Sequence, residues 1–260
     1  MADRPTAAAA ADLILRMRRG ELSLKALPEE ARPRTAAEAQ EIVDLVAGRL
    51  AAPLLGWKIA FTYKSGERPV RAPIEALYPS GATVPGSPSG LRVVEGEVVF
   101  RLTEDLPART DPYSYEEVAG AVEAAPALEI LAPRFGFASQ AEMRAASRAG
   151  GGLDGLADHI SSGGFVTGPF RRDWRSLDFL RMRTVMRAGD VVLADVVGGH
   201  PLMDPFAPIP AFANLMRDHG GLQRGLVLAT ASLTGSFEVG PQVPISASVD
   251  GLGAVSCSFA

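Results

Sequence analysis

Apolar and polar positions along the chain fall into two textures, and the change between them predicts where helices give way to strands. Residues 6–19 set alanines with Leu13, Ile14, Leu15 and Met17 at helical spacing, ended by Gly20. A second helix is predicted from Thr35 to about Leu50. Thr35 is its N-cap, Glu38 follows three residues on, and Ala39, Ile42, Val43 and Val46 form its apolar stripe. From Leu54 onward, short apolar runs alternate with Pro/Gly clusters such as YPSGATVPGSPSG at 78–90, the pattern of strands joined by long loops. Helical spacing returns at 115–123, 139–149 and 209–219, a strand pair is predicted over 181–197, and AGGGLDG at 149–155 reads as a loop. The C-terminal stretch, from LVLATASLTG to AVSCSFA, reads as short strands closed by glycine turns. This order predicts an α+β fold, with a small N-terminal helical region over 1–50 and a β-rich core over 51–260.

Within that core, VVEGEVVF at 93–100 breaks the apolar pattern. Side chains two apart in a strand share a face, so Glu95 and Glu97 are neighbours and repel one another. Spacing alone leaves two readings open: a solvated acidic face, or a buried pair with a positive group between. The flanking Val93, Val94, Val98, Val99 and Phe100 favour burial on both faces. A third carboxylate, Glu129, sits inside the apolar run PALEIL. Oxygen-only ligands suit a hard cation, Mg2+ or else Mn2+ or Ca2+. Three carboxylates and one such ion leave one negative charge. Lys58, the one lysine in LLGWKIAFT, is the candidate to balance it and to move protons; the alternative is a lysine snorkelling to water.

Composition narrows the classes of function. The chain has 260 residues, 26 basic and 30 acidic, mixed along its length for a net charge of −4. It carries no basic tract, which excludes nucleic acid as the expected partner. The single cysteine, Cys257, excludes an intramolecular disulfide and any multi-cysteine metal cluster. No apolar run approaches a membrane span, and the arginines near the N-terminus follow the apolar stretch, unlike a signal peptide. A cytoplasmic protein is expected.

GWKIAFT, the E-x-E of VVEGEVVF, PALEI, ADHISSGGFVTGP, VGGHPL and ATASLTG…VDGLGAVSCSF follow one another in a fixed order. From about Thr35 to the C-terminus that series resembles the fumarylacetoacetate hydrolase superfamily, in its branch of 2-keto-4-pentenoate hydratases and 2-oxo-3-enedioate decarboxylases. The resemblance implies a mixed β-roll with flanking helices. It implies Mg2+ on Glu95, Glu97 and Glu129, and Lys58 as catalytic acid/base. The implied partner is a small unsaturated 2-oxo or 2-hydroxy acid, and the implied assembly a homo-oligomer. Hydration of a 2-hydroxy-dienoate to a 4-hydroxy-2-oxo acid, as in aromatic-compound degradation, is the leading expectation. Decarboxylation of a 2-oxo-3-enedioate is the alternative; a binding homologue without turnover, and C–C hydrolysis of acylpyruvates, rank lower.

The chain departs from that family at several positions. Where many members carry P-D-[FY]-G, it reads Pro73-Ile74-Glu75-Ala76, so Glu75 would have to replace an aspartate one place earlier. Where A-D-N-x-S-S-G is common, His159 stands for the asparagine, between Asp158 and the pair Ser161-Ser162. Asp158, Ser161, Ser162 and Thr230 are candidates to bind substrate oxygens, and Glu75 and His159 to take part in proton transfer. Thr230, in Thr230-Ala231-Ser232, stands in a T-G-S motif that has lost its glycine. Arg68, Arg71 and Arg134 are candidates to meet a distal carboxylate. His200 reads as a turn residue, His219 as a helix C-terminal partner, and Cys257 as packed.

Overall fold

The computed structural model describes residues 7–60 and 69–260, so Arg68 lies outside the described residues. Two helices open the chain, α1 (Ala7–Arg18) and α2 (Ala36–Leu50). They face each other through Ala10, Ala11, Ile14 and Met17 on one side and Ala39, Ile42 and Val46 on the other, the stripes that the spacing predicts. The Thr35 hydroxyl accepts from the Glu38 N–H at 3.1 Å, and the Glu38 carboxylate accepts from the Arg34 N–H rather than from that of Thr35.

Strands then follow: β1 (Gly56–Ala60), β2 (Val70–Ile74), β3 (Leu77–Pro79), β4 (Ala82–Val84), β5 (Val93–Leu102) and β6 (Leu106–Pro107). Helix α3 (Tyr115–Gly120) precedes β7 (Val122–Leu131). The helix predicted over 115–123 therefore stops short, because Val122 and Glu123 pair with Leu102 and Arg101 on β5. Next come α4 (Gln140–Ala149), α5 (Leu153–Ala157), β8 (Ser162–Thr167), β9 (Arg183–Ala188), β10 (Val191–Val197) and α6 (Ile209–Arg217). The loop expected at 149–155 is only half a loop: its three glycines turn the chain and Leu153 begins α5. The end of the chain forms β11 (Gly221–Leu222), β12 (Val227–Glu238), β13 (Ile245–Val249) and β14 (Gly253–Phe259).

A seven-stranded sheet, in the order β2-β1-β12-β5-β7-β8-β3, forms the body of the roll. It is mixed, with β1 parallel to β12 and β3 parallel to β8. A five-stranded sheet, β10-β9-β13-β14-β4, packs on it through Val94, Leu128, Ile130 and Val166 against Met186, Ile245, Ala247, Val255 and Phe259. Over another part of the large sheet, α6 and the loop before it bury Phe100, Trp174, Phe206 and Phe212 in an aromatic cluster. Each such side chain contributes about 1.5–3 kcal/mol on full burial. The α+β roll with flanking helices expected from the motif order is the fold observed. Among the described residues, no helix is long and apolar enough to cross a membrane.

Candidate metal centre

Sheet order brings the chemistry together. β12 separates β1, which carries Lys58, from β5, which carries Glu95 and Glu97, and β7 follows with Glu129. Glu95 lies directly opposite Glu129 in the antiparallel β5–β7 register. Like charges at that position destabilise a sheet. β12 loses register twice beside them, between Ala229 and Ser232 and again before Ser236, so its backbone bends around the acidic face. Gly96 makes the close approach possible. Its N–H donates to Thr234 Oγ1 at 2.9 Å, and a Cβ at this position would stand 2.9 Å from Thr234 Cγ2.

One carboxylate oxygen from each of Glu95, Glu97 and Glu129 lies within 4.8 Å of the others. Glu97 and Glu129 are buried, and Glu95 is half-buried at the edge of a cavity. Glu129 Oε1 sits 2.5 Å from Lys58 Nζ, while Glu129 Oε2 and Glu97 Oε2 have no hydrogen-bond donor. Burial, reinforced by the charge of Glu129, pushes the Glu95 carboxyl up to about 7. Burial also raises Glu97, with Glu129 and Glu95 adding to it, and raises Glu129 against the pull of Lys58. Burial works against the Lys58 ammonium, yet Glu129, Glu95 and Glu97 outweigh it and its pKa rises. A buried acidic cluster with orphaned oxygens and, among the described residues, one ammonium is short of positive charge. A hard divalent cation on three oxygen ligands fits it.

The cavity beside the cluster has a volume of about 650 Å3. Lys58, Glu95, Ile160 and Ser161 line it, and Leu131, Phe135, Phe137 and Met143 contribute apolar lining. Arg144 and Arg148, from α4, line it as well. Arg144 donates to the Ser236 carbonyl and hydroxyl, and Arg148 has no partner among the described residues. Asp154 also faces the cavity, engaged by Arg32 and by the Leu27 N–H at 3.1 Å.

The remaining expected residues divide. Ser161 reaches the cavity; Asp158, Ser162, Glu75, His159 and Thr230 do not line it. Asp158 is fully buried, accepting from the Arg134 N–H at 2.8 Å with the Arg134 guanidinium 3.5 Å away. Glu75 is paired bidentately with Arg18, at 2.8 and 3.2 Å, and lies 2.7 Å from His159 Nδ1. Burial opposes ionisation of Glu75, but His159 and Arg18 prevail and hold its carboxyl down at about 2. Burial holds His159 below its usual value, against the pull of Glu75. Thr230 donates to the Pro205 carbonyl at 2.9 Å and lies 3.3 Å from His200 Nε2. Of the expected arginines, Arg134 is committed to Asp158, while the Arg71 guanidinium lies over Trp57 and 3.7 Å from Asp44, and its backbone N–H donates to, and its carbonyl accepts from, the Gln40 side chain. His219 Nδ1 lies 2.9 Å from the Leu215 carbonyl at the end of α6, and burial pushes the Cys257 thiol up to about 12.

Sequence reasoning missed two features. The Ile160 carbonyl accepts from Lys58 Nζ at 2.9 Å, and Arg18 reaches the back of the site from α1. Neither leaves a local signal, because a backbone oxygen has no residue signature and Arg18 is one of many arginines. The Ile160 carbonyl is presented by three consecutive residues with positive φ, His159, Ile160 and Ser161, none of them glycine. Each is strained by on the order of 1–2 kcal/mol.

No protein-family model and no curated protein sequence matches the chain. Solved structures do. 4-Oxalocrotonate decarboxylase from Pseudomonas putida G7, complexed with magnesium and adipate, aligns over 98% of this chain and 97% of its own at 20% identity, with a TM-score of 0.74. Its complex with calcium and acetate gives the same coverage and identity with a TM-score of 0.75. 2-Hydroxyhepta-2,4-diene-1,7-dioate isomerase from Mycobacterium marinum covers 80% of this chain and 76% of its own at 13% identity, with a TM-score of 0.56. Maleylpyruvate hydrolase from Sphingobium sp. SYK-6, complexed with manganese(II) and pyruvate, covers 80% and 71% at 16% identity, with a TM-score of 0.54. These neighbours are enzymes of the fumarylacetoacetate hydrolase superfamily, and the chain shares their fold.

Proposed function

We propose that this chain, which folds as those enzymes do, is a Mg2+-dependent lyase that decarboxylates an unsaturated 2-oxo diacid of the 2-oxo-3-enedioate type. The observation that carries this reading is the convergence of Glu95, Glu97 and Glu129 with Lys58, beside a cavity that Lys58 and Glu95 line together with apolar side chains. Glu95, Glu97 and Glu129 would hold the ion, with Mn2+ as a substitute. Bound there, a divalent cation supplies Lewis-acid polarisation of the 2-oxo group of the substrate.

The chain's own residues do the rest. Lys58 is held between the Ile160 carbonyl and Glu129, which occupy two of its three N–H donors and leave one for a ligand oxygen. When the distal C–CO2− bond breaks, its electron pair moves through the conjugated chain to the 2-oxo oxygen. Lys58 then supplies the proton that makes the dienol. Leu131, Phe135, Phe137 and Met143 keep water from the departing carboxylate, which favours its conversion to neutral CO2. Arg144 and Arg148 line the same cavity and attract a dianion to it.

Hydration of a 2-hydroxy-dienoate to a 4-hydroxy-2-oxo acid is the second reading. The cavity volume supports it, since about 650 Å3 exceeds what a short acid fills and leaves room for a reacting water. Against it, among the described residues, Glu75 and His159 do not line the cavity and Asp154 is engaged by Arg32.

Offering the Mg2+-loaded protein a 2-oxo-3-enedioate and, separately, a 2-hydroxy-dienoate separates these readings. Release of CO2 with appearance of the dienol's ultraviolet band is the expected result. Loss of that band from the dienoate without CO2 identifies a hydratase. Binding of oxalate, a mimic of the 2-oxo acid chelate, with neither reaction identifies a binding protein instead.

A further inference from the structure

The turn at His159-Ile160-Ser161 holds φ values of 50°, 55° and 55°. Three successive L-residues in the left-handed region do not persist unless their surroundings over-determine them. Here each end of the turn is tied. The Ser161 N–H donates to the Asp158 carbonyl at 2.8 Å, and the Ser161 carbonyl accepts from the Ala132 N–H at 2.8 Å, which joins the turn to the strand end that follows Glu129. Asp158 is fixed in turn by the Arg134 N–H and guanidinium.

The first residue of the turn, His159, is held by the N-terminal helix. Arg18 Nη2 lies 2.9 Å from His159 Nδ1, and the same guanidinium grips both oxygens of Glu75. Glu75 Oε1 stands 2.7 Å from the same His159 nitrogen. Whichever way the Nδ1 proton is placed, that nitrogen is satisfied: it donates to Glu75 or accepts from Arg18. Arg18 and Arg134 balance Glu75 and Asp158 in charge around the buried His159. None of the four groups Arg18, Glu75, His159 and Asp158 lines the cavity, so they act on the site through the turn.

We propose that Arg18, with Glu75 and His159, is a positioning residue for Lys58: by locking the left-handed turn, it aims the Ile160 carbonyl at the Lys58 ammonium and holds that ammonium beside Glu129. The kinetic consequence rests on Lys58 being the proton carrier; the geometric claim rests on the turn alone.

Brief labelling with acetic anhydride, read by mass spectrometry at Lys58 and at the exposed Lys25 as an internal reference, tests the geometry without any turnover. In R18M, Lys58 labelling is expected to rise at least fivefold relative to Lys25, and in R18K to stay within twofold of the wild type. A second readout follows deuterium exchange at C3 of 2-oxobutyrate in the Mg2+-loaded protein. R18M is expected to slow exchange at least tenfold while oxalate affinity stays within twofold, with most of the rate restored in R18K. If R18M does not fold, R18Q, which keeps a hydrogen bond to Glu75, is read by the same criteria.

Unchanged Lys58 labelling in a folded R18M overturns the proposal. So does a parallel rise at Lys58 and Lys25 with a lower melting temperature, which marks general loosening. A wild-type protein that neither binds oxalate nor exchanges protons removes the lyase reading; the labelling ratio still decides the positioning claim.

Discussion

Glu95 and Glu129 face one another directly across β5 and β7, two carboxylates in register on adjoining strands, with the Lys58 ammonium 2.5 Å from one of them. A sheet does not hold such a pair for its own stability. The arrangement stores a demand for positive charge, and the predictions below follow from how that demand is met.

Replacing Glu97 with glutamine keeps the shape and removes one of the competing charges. Burial and two neighbouring carboxylates hold Glu97 far above its ordinary range, so the metal-free fold is strained by it. E97Q is therefore expected to melt higher than the wild type in chelator. With Mg2+ the order reverses, because at 100 times Kd the ion adds about 2.7 kcal/mol to a protein that binds it and nothing to one that does not. Thermal melts with and without Mg2+ read both signs.

Metal affinity is expected to climb with pH. The Glu95 carboxyl, pushed by burial to about 7, carries a proton below that pH when no ion is present, and an ion must displace it. Affinity then falls about tenfold for each pH unit below 7 for each displaced proton. Calorimetry across pH 5.5 to 8.5, repeated in buffers of different ionisation enthalpy, counts the proton released.

Lys58 separates binding from chemistry. K58M removes the ammonium that, among the described residues, stands beside the three carboxylates, so Mg2+ is expected to bind at least as tightly as in the wild type. Turnover is expected to fall by roughly 100- to 10,000-fold, the usual contribution of a placed acid/base. Calorimetry and initial rates on the same preparation decide this, and an unimpaired K58M would exclude Lys58 as the proton carrier.

Glu75 gives an acid-sensitive contribution to stability. Its folded pKa of about 2 lies below the ordinary 4.5, so the stabilisation is fully present above 4.5 and disappears as pH falls through 2. E75Q is expected to lose about 2 kcal/mol at pH 7 after allowance for partial exposure, and the gap to narrow at pH 3. Urea titrations at the two pH values measure it.

Much of this was readable from the chain. The α2 stripe and its Thr35 cap, the Glu-Gly-Glu strand and the isolated Glu129 are local patterns, and β5 and β7 place them as alternation requires. The register that sets Glu95 opposite Glu129 was not readable, because it depends on how far β7 runs back into the segment that looked helical. For the same reason the boundary of α3 was misplaced: pairing with β5 outweighs the helical propensity of Val122 and Glu123. Glu75 and His159 were found by motif position, yet their partner Arg18 lies 57 and 141 residues away and carries no spacing signal. The apolar lining was equally silent, since Phe135 and Phe137 look in sequence like ordinary core.

Ile160 shows what the left-handed turn means for anyone altering this protein. A glycine there would remove a steric clash that a β-branched residue cannot avoid, and a screen for thermal resistance would select it. The same exchange would free the carbonyl that Lys58 depends on, so a screen for turnover would reject it. Stability and catalysis pull this one residue in opposite directions.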